Sequence, residues 1–215
     1  MIEVWSARAE PARGCGIALV RVLLAGRLGV PASEVPIRRF CARCGASDHG
    51  KPYLDGTTLR ATGHEPPAPL HFSVSHAGGR VLVALGPVPV GVDLVRVADV
   101  TTDAAGAILA PGECAEDPRE LAILWARKEA VLKATGDGLA IDPCRVCMSP
   151  PHAPPALLAW PRGATDGVRM ADLHLDLDGD DSQDDYVSSL AWLSAADESV
   201  VVHPDATALL KGAPR

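Results

Sequence analysis

The sequence is poor in aromatic residues, with two Phe, two Tyr and four Trp among 215 residues. It has no excess of positive charge. The formal net charge is −7, which opposes a polyanionic nucleic-acid partner. It also has no long apolar run. The longest near the start, Ile17 to Leu24, is broken by Arg21 and flanked by Arg13 and Arg27. That is too short to span a bilayer, and no convincing small-residue cleavage site follows it, so no signal peptide is expected. Six cysteines (Cys15, Cys41, Cys44, Cys114, Cys144 and Cys147) are sparse for a disulfide scaffold, which a chain this long does not need. No Walker A loop occurs. A reducing, cytoplasmic setting without a membrane is expected. What is present is a globular composition, 47% hydrophobic and 22% charged, in a chain long enough to bury a core.

Local patterns alternate between helix and strand. Met1–Ser6 reads as a short edge strand. Gly14–Leu28 carries an apolar stripe at 17, 20, 24 and 28, and Gly29 stops it. Ser33–Arg39 alternates like a strand, and Cys41–Leu59 is rich in turn formers. Leu70–Ser75, Arg80–Leu85 and Val88–Val97 read as strands, the last two joined at Gly86-Pro87 as a hairpin. Arg119–Ala134 is the best helix, ended by Gly136 and Gly138. Leu139–Met148, 168–177 and 186–203 read as strands, with an acidic turn at 176–185, and the tail 204–215 offers little to pack. The order gives an α+β class without a demonstrable repeat.

Three stretches carry chemistry. They are Phe72-Ser73-Val74-Ser75-His76, Val90-Gly91-Val92-Asp93-Leu94-Val95, and Trp125-Ala126-Arg127-Lys128-Glu129-Ala130-Val131-Leu132-Lys133 with Gly136-Asp137-Gly138 after it. Asp93 interrupts a buried-strand pattern. A carboxylate there needs a cation or donors, or else it caps the next turn. Glu129 and Lys133 share a helix face. They could be a surface ion pair, but Trp125 on the same stripe draws them to the edge of the core. His76 is either a satisfied, partly buried histidine or, with Ser75, a donor to an anion. With Lys51 in His49-Gly50-Lys51-Pro52, the set is two carboxylates, several lysines and a Ser-His pair. Such a set suits a hard divalent cation beside phosphates, and so phosphoryl-type transfer.

The ordered stretches resemble the three signature motifs of surfactin-type 4′-phosphopantetheinyl transferases. Those motifs read approximately as aromatic-Asn-x-Ser-His-Ser, Gly-x-Asp-x-Glu, and Trp-x-x-Lys-Glu-x-x-x-Lys followed by Gly-x-Gly. Lys51 falls in the family's Gly-Lys-Pro element, and Arg13 matches an Arg that opens the first helix. The resemblance covers residues 13–203. It implies two similar α+β halves in pseudo-twofold arrangement, 1–97 and 98–215, with coenzyme A in the cleft between them. It further implies Mg²⁺ held by Asp93 and Glu129. Phosphate contacts would come from Lys51, Ser75 and His76, with Lys128 and Lys133 along the pyrophosphate and Arg13 near the nucleotide. Glu129, Lys133 and Asp93 would be catalytic. The partner would be an apo acyl or peptidyl carrier protein, modified by a monomeric enzyme. The alternative is a non-catalytic relative that binds coenzyme A or a carrier.

The sequence departs from the pattern in places. Val95 stands where the family usually has Glu, on the same strand face as Asp93, so water is expected at that metal position. Ser73 replaces Asn, and Ala77 replaces the last Ser of the first motif. Only Arg8 is available where relatives carry a longer basic segment. Finally, Cys41-x-x-Cys44 with His49, and Cys144-x-x-Cys147, have zinc-type spacing. That would suit a zinc-stabilised interaction module, although the second pair is expected on a strand, where such positions face opposite sides.

Overall fold

A computed structural model describes residues 1–9, 14–64, 69–175 and 185–211. Along the chain lie β1 (Ile2–Arg8), α1 (Cys15–Leu28), β2 (Ile37–Phe40), β3 (Lys51–Leu54), α2 (Gly56–Ala61), β4 (His71–Ala77), β5 (Arg80–Gly86) and β6 (Val90–Arg96). They are followed by α3 (Ala105–Ile108), α4 (Pro118–Thr135), β7 (Cys147–Met148), β8 (Leu157–Ala159), β9 (Val168–Asp172), β10 (Tyr186–Leu193), β11 (Val200–His203) and α5 (Thr207–Leu210). The mixed class expected from the sequence is observed.

One sheet has the order β11-β1-β5-β4 and a second the order β6-β10-β9, while β2-β3 and β7-β8 are two-stranded. Strand β5 is buried along its whole length, and its alternation divides the core. Val81, Val83 and Leu85 face α1, packing with Leu19, Val20, Leu24 and Phe72. Leu82 and Ala84 face the other way, joining Ile2, Val4, Val90, Val92, Leu94, Leu190 and Trp192 between the two sheets. Helix α4 lies on the far side of the second sheet, its Ala122 and Ala126 against Val95 and Val187. Each sheet thus carries one long helix on its outer face, and the apolar faces of the sheets meet in the middle.

Strands β4 and β6 are joined by side chains rather than by a ladder. The Ser73 hydroxyl accepts from Val92 N at 3.1 Å, and that of Ser75 accepts from Leu94 N at 3.2 Å. The matching order of the two pairs shows that the strands run parallel at this seam. Serine satisfies backbone donors that would otherwise be buried unpaired.

Several local expectations change. Gly86-Pro87 does not close a hairpin, because β5 pairs with β1 and β4 whereas β6 pairs with β10. The turn hands the chain from one sheet to the other. Strand β1 is interior, since β11 adds to it in parallel with Ile2 opposite Val200. The stretch 186–203 is therefore two strands in different sheets. Ser33–Arg39 begins as a 3₁₀ turn, with Glu34 N bonded to Pro31 O, and becomes strand only at Ile37. Leu139–Met148 is mostly 3₁₀ turn, because Gly138 has φ +51° and Asp142 caps Pro143–Arg145. The tail does pack. Ala206 is buried, its N–H bonded to Ser6 O at 2.6 Å, and Leu210 joins the α1 core. Most of the acidic stretch 176–185 lies outside the described residues.

Candidate active site

Helix α4 delivers most of the site. Asp117 caps its start by accepting from Glu120 N, Pro118 occupies the first turn, and Gly136 ends it at φ +82°. The helix sits unusually close to β6. A Cβ on Gly91 would lie 2.0 Å from Ala130 O and 2.3 Å from Ala134 N, so only glycine allows this approach. Gly91, Asp93 and Val95 alternate onto one face of the strand. The close approach at Gly91 brings Asp93 beneath Lys133, and Val95 is buried under Ala122 and Ala126.

Asp93 is 5% exposed. Its Oδ1 accepts from Lys133 Nζ at 2.5 Å and from the Ser75 hydroxyl at 2.7 Å. Lys133 Nζ also lies 3.2 Å from Ser75 Oγ and 3.3 Å from Val92 O. One helical turn back, Glu129 has a buried Oε1 with no hydrogen-bond partner. Burial raises the pKa of this carboxyl, the charge of Asp93 raises it further, and Lys133 offsets part of the rise. An orphaned acidic oxygen beside a second carboxylate is what a bound cation would satisfy. The donor set is hard oxygen, which fits a divalent ion of the Mg²⁺/Ca²⁺ class.

Lys51, at the start of β3, reaches across to the end of α4. Its Nζ donates to Lys133 O at 2.6 Å and Ala134 O at 2.9 Å, capping carbonyls at the negative end of the helix dipole. Burial lowers its pKa to about 8. Glu129, Lys133 and Lys51 line a cleft of about 450 Å³. Phe72, Ser73 and Val74 of β4, the β2–β3 loop and Gly136–Ala140 complete the walls.

The structure brings together Lys51, Ser75, Asp93, Glu129 and Lys133. The Ser75 hydroxyl is buried and committed to Asp93 and Leu94 N, so it orients the carboxylate instead of facing a phosphate. His76 is on the opposite face of β4, exposed and outside the cleft lining. Arg13 lies outside the described residues. Lys128 departs furthest from expectation. It is 0% exposed and points away from the cleft, its Nζ bonded to Ile108 O (2.5 Å), Glu113 Oε2 (2.5 Å) and Pro143 O (3.2 Å). A charge satisfied by three acceptors in the core cannot line a pyrophosphate. Its neighbour Arg127, 1% exposed, pairs with Asp172 and holds the carbonyls of Ser149, Pro150, Pro151 and Ala153. Sequence reasoning missed both structural roles, and also missed Arg43 in the cleft wall.

Comparison with known proteins agrees with the motif resemblance. Residues 89–190, which contain the second and third motifs, match the family model of the 4′-phosphopantetheinyl transferase superfamily. Among individual proteins, the chain is similar to a 4′-phosphopantetheinyl transferase of Bacillus subtilis, at 29% identity over 106 residues. That match covers 45% of this chain and 42% of the relative. It is also similar to the 4′-phosphopantetheinyl transferase gsp of Aneurinibacillus migulanus, at 25% identity over 134 residues, or 59% of this chain and 48% of the relative. The matches thus span less than half the length of these curated relatives. Among the described residues no helix is long and apolar enough to cross a membrane.

Proposed function

We propose that this chain transfers the 4′-phosphopantetheine group of coenzyme A to a serine of an apo acyl or peptidyl carrier protein, releasing 3′,5′-ADP. The observation that carries the reading is the Asp93–Lys133–Glu129 cluster, in which Lys133 and Glu129 line the cleft above a buried Asp93 and Glu129 keeps an unpartnered buried oxygen. In this reading Asp93 and Glu129 hold Mg²⁺. The ion's contribution is charge neutralisation on the pyrophosphate during in-line displacement.

The chain's own residues do the rest. Glu129, on the cleft wall beside the incoming serine, accepts the serine proton. The serine oxygen then bonds the β-phosphorus as the bond to the bridging oxygen breaks. Lys133 stands beside Asp93 to meet charge on the departing phosphate. Lys51 lies at the end of the same helix to bind the phosphates as a point charge. Ser75 holds Asp93 in place. By resemblance alone, Arg13 is assigned to the nucleotide and His76 to the phosphates of coenzyme A. The two-half division at residue 97, a monomeric state and a cytoplasmic setting belong to the same proposal.

The test is intact-mass analysis of apo carrier proteins after incubation with the full chain, coenzyme A and Mg²⁺. A gain of one phosphopantetheinyl group that EDTA abolishes is expected. Absence of any gain across several carriers, with coenzyme A binding retained, would favour the non-catalytic relative.

A further inference from the structure

The loop between β2 and β3 holds a donor cluster that the transfer chemistry leaves unused. Ligand atoms of Cys41, Cys44 and His49 all lie within 4.8 Å of one another. His49 Nε2 is 3.2 Å from Cys44 Sγ, and its other ring nitrogen, Nδ1, is 2.7 Å from Asp48 Oδ1. The backbone doubles back tightly to achieve this. Gly45 N donates to Cys41 O at 2.8 Å and Cys41 N donates to Ala46 O at 2.9 Å. Gly45 sits at φ +74°, the left-handed turn that returns the chain toward Cys41.

We propose that Cys41, Cys44 and His49 form a zinc site, with Asp48 orienting the imidazole and the fourth position open to water. Two thiolates and an imidazole select a borderline-soft divalent ion over Mg²⁺ or Ca²⁺. A carboxylate on the far nitrogen of a metal-bound histidine is the usual outer-shell partner. The second Cys pair takes no part. Among the described residues, Cys144 and Cys147 join no such cluster, and Cys144 stands in a 3₁₀ turn, not on a strand.

The position gives the site a role. Cys41, Arg43 and His49 line the same cleft as Glu129, and Lys51 follows the loop directly. A metal here would staple the wall that presents Lys51. The site reaches beyond the proposed transfer and is read without it, so either reading can fail alone.

The experiment is a Co²⁺ titration of the full-length, reduced, chelator-stripped protein, together with elemental analysis of the protein as purified. Expected are a thiolate-to-Co²⁺ charge-transfer band saturating at one ion per chain, its displacement by Zn²⁺, and stoichiometric zinc in the purified protein. Cys44→Ser and His49→Ala, both at exposed positions, should each weaken binding at least about tenfold, and Cys144→Ser should leave it unchanged. Melting temperature with and without Zn²⁺ gives a second readout, rising in the wild type and not in Cys44→Ser. No band in the reduced wild type, or a band that survives Cys41→Ser with Cys44→Ser, would overturn the proposal. A band abolished by Cys144→Ser would overturn it as well.

Discussion

Lys51 and Lys128 show how two lysines of one fold take opposite roles. Lys51 is held by two helix-end carbonyls at the cleft, and burial alone brings its pKa from 10.5 down to about 8. The depressed base sets a sign. Burying its charge costs stability below about pH 8, and that cost is relieved as pH rises toward 10.5. An anion bound beside Lys51 favours the protonated form. Coenzyme A affinity should therefore be nearly flat below pH 8 and weaken at pH 9, with proton uptake on binding. Lys51→Arg should remove the pH dependence. Titration calorimetry in buffers of differing ionisation heat checks both. Lys128 belongs to the core. Lys128→Met leaves Glu113, whose side chain is 5% exposed, without its cation and should cost about 3–5 kcal/mol. Denaturant unfolding measures that loss. The coenzyme A affinity of the folded fraction should stay unchanged, which a role along the pyrophosphate would not allow.

Among the elements, α4 and the β4–β6 seam do the positioning. Gly91→Ala would place a methyl carbon 2.0 Å from a helix carbonyl oxygen. Backbone cannot rotate aside as a side chain does, so a loss of about 3 kcal/mol or more is expected. A fall in the denaturant midpoint checks it. Transfer should fall as well, because Glu129 and Lys133 move with the helix. Ser73→Ala makes a subtler test of the seam. It leaves Val92 N without its acceptor at a cost of about 1–3 kcal/mol, yet leaves the Ser75–Asp93 bond intact. Faster amide exchange at Val92 with near-normal transfer is the expected pair of results.

At the scale of the molecule, much of the site was legible because its parts are local in sequence. Helix α4 announces itself through its apolar positions over Arg119–Ala134 and Gly136 at its end, and Asp93 stands out against an apolar strand. What was hidden depends on distant partners. Nothing near Lys128 indicates that Glu113 and two carbonyls will surround it. Gly86-Pro87 is a sound turn signal, yet a turn does not reveal whether the next strand returns to the same sheet. The parallel addition of β11 to β1 joins residues 200 and 2, beyond the reach of any periodicity. The cysteines were legible in part, since the sequence already set His49 with the first pair and the fold brings their three ligand atoms within 4.8 Å of one another.

The central claim is that Glu129 acts in the chemistry and not in holding the substrate. It is tested most directly by Glu129→Gln, an isosteric change, comparing single-turnover transfer to an apo carrier with coenzyme A affinity for the same preparation. Transfer should slow about 10²–10⁴-fold with the fold intact and coenzyme A still bound. Transfer at the wild-type rate by Glu129→Gln would contradict it.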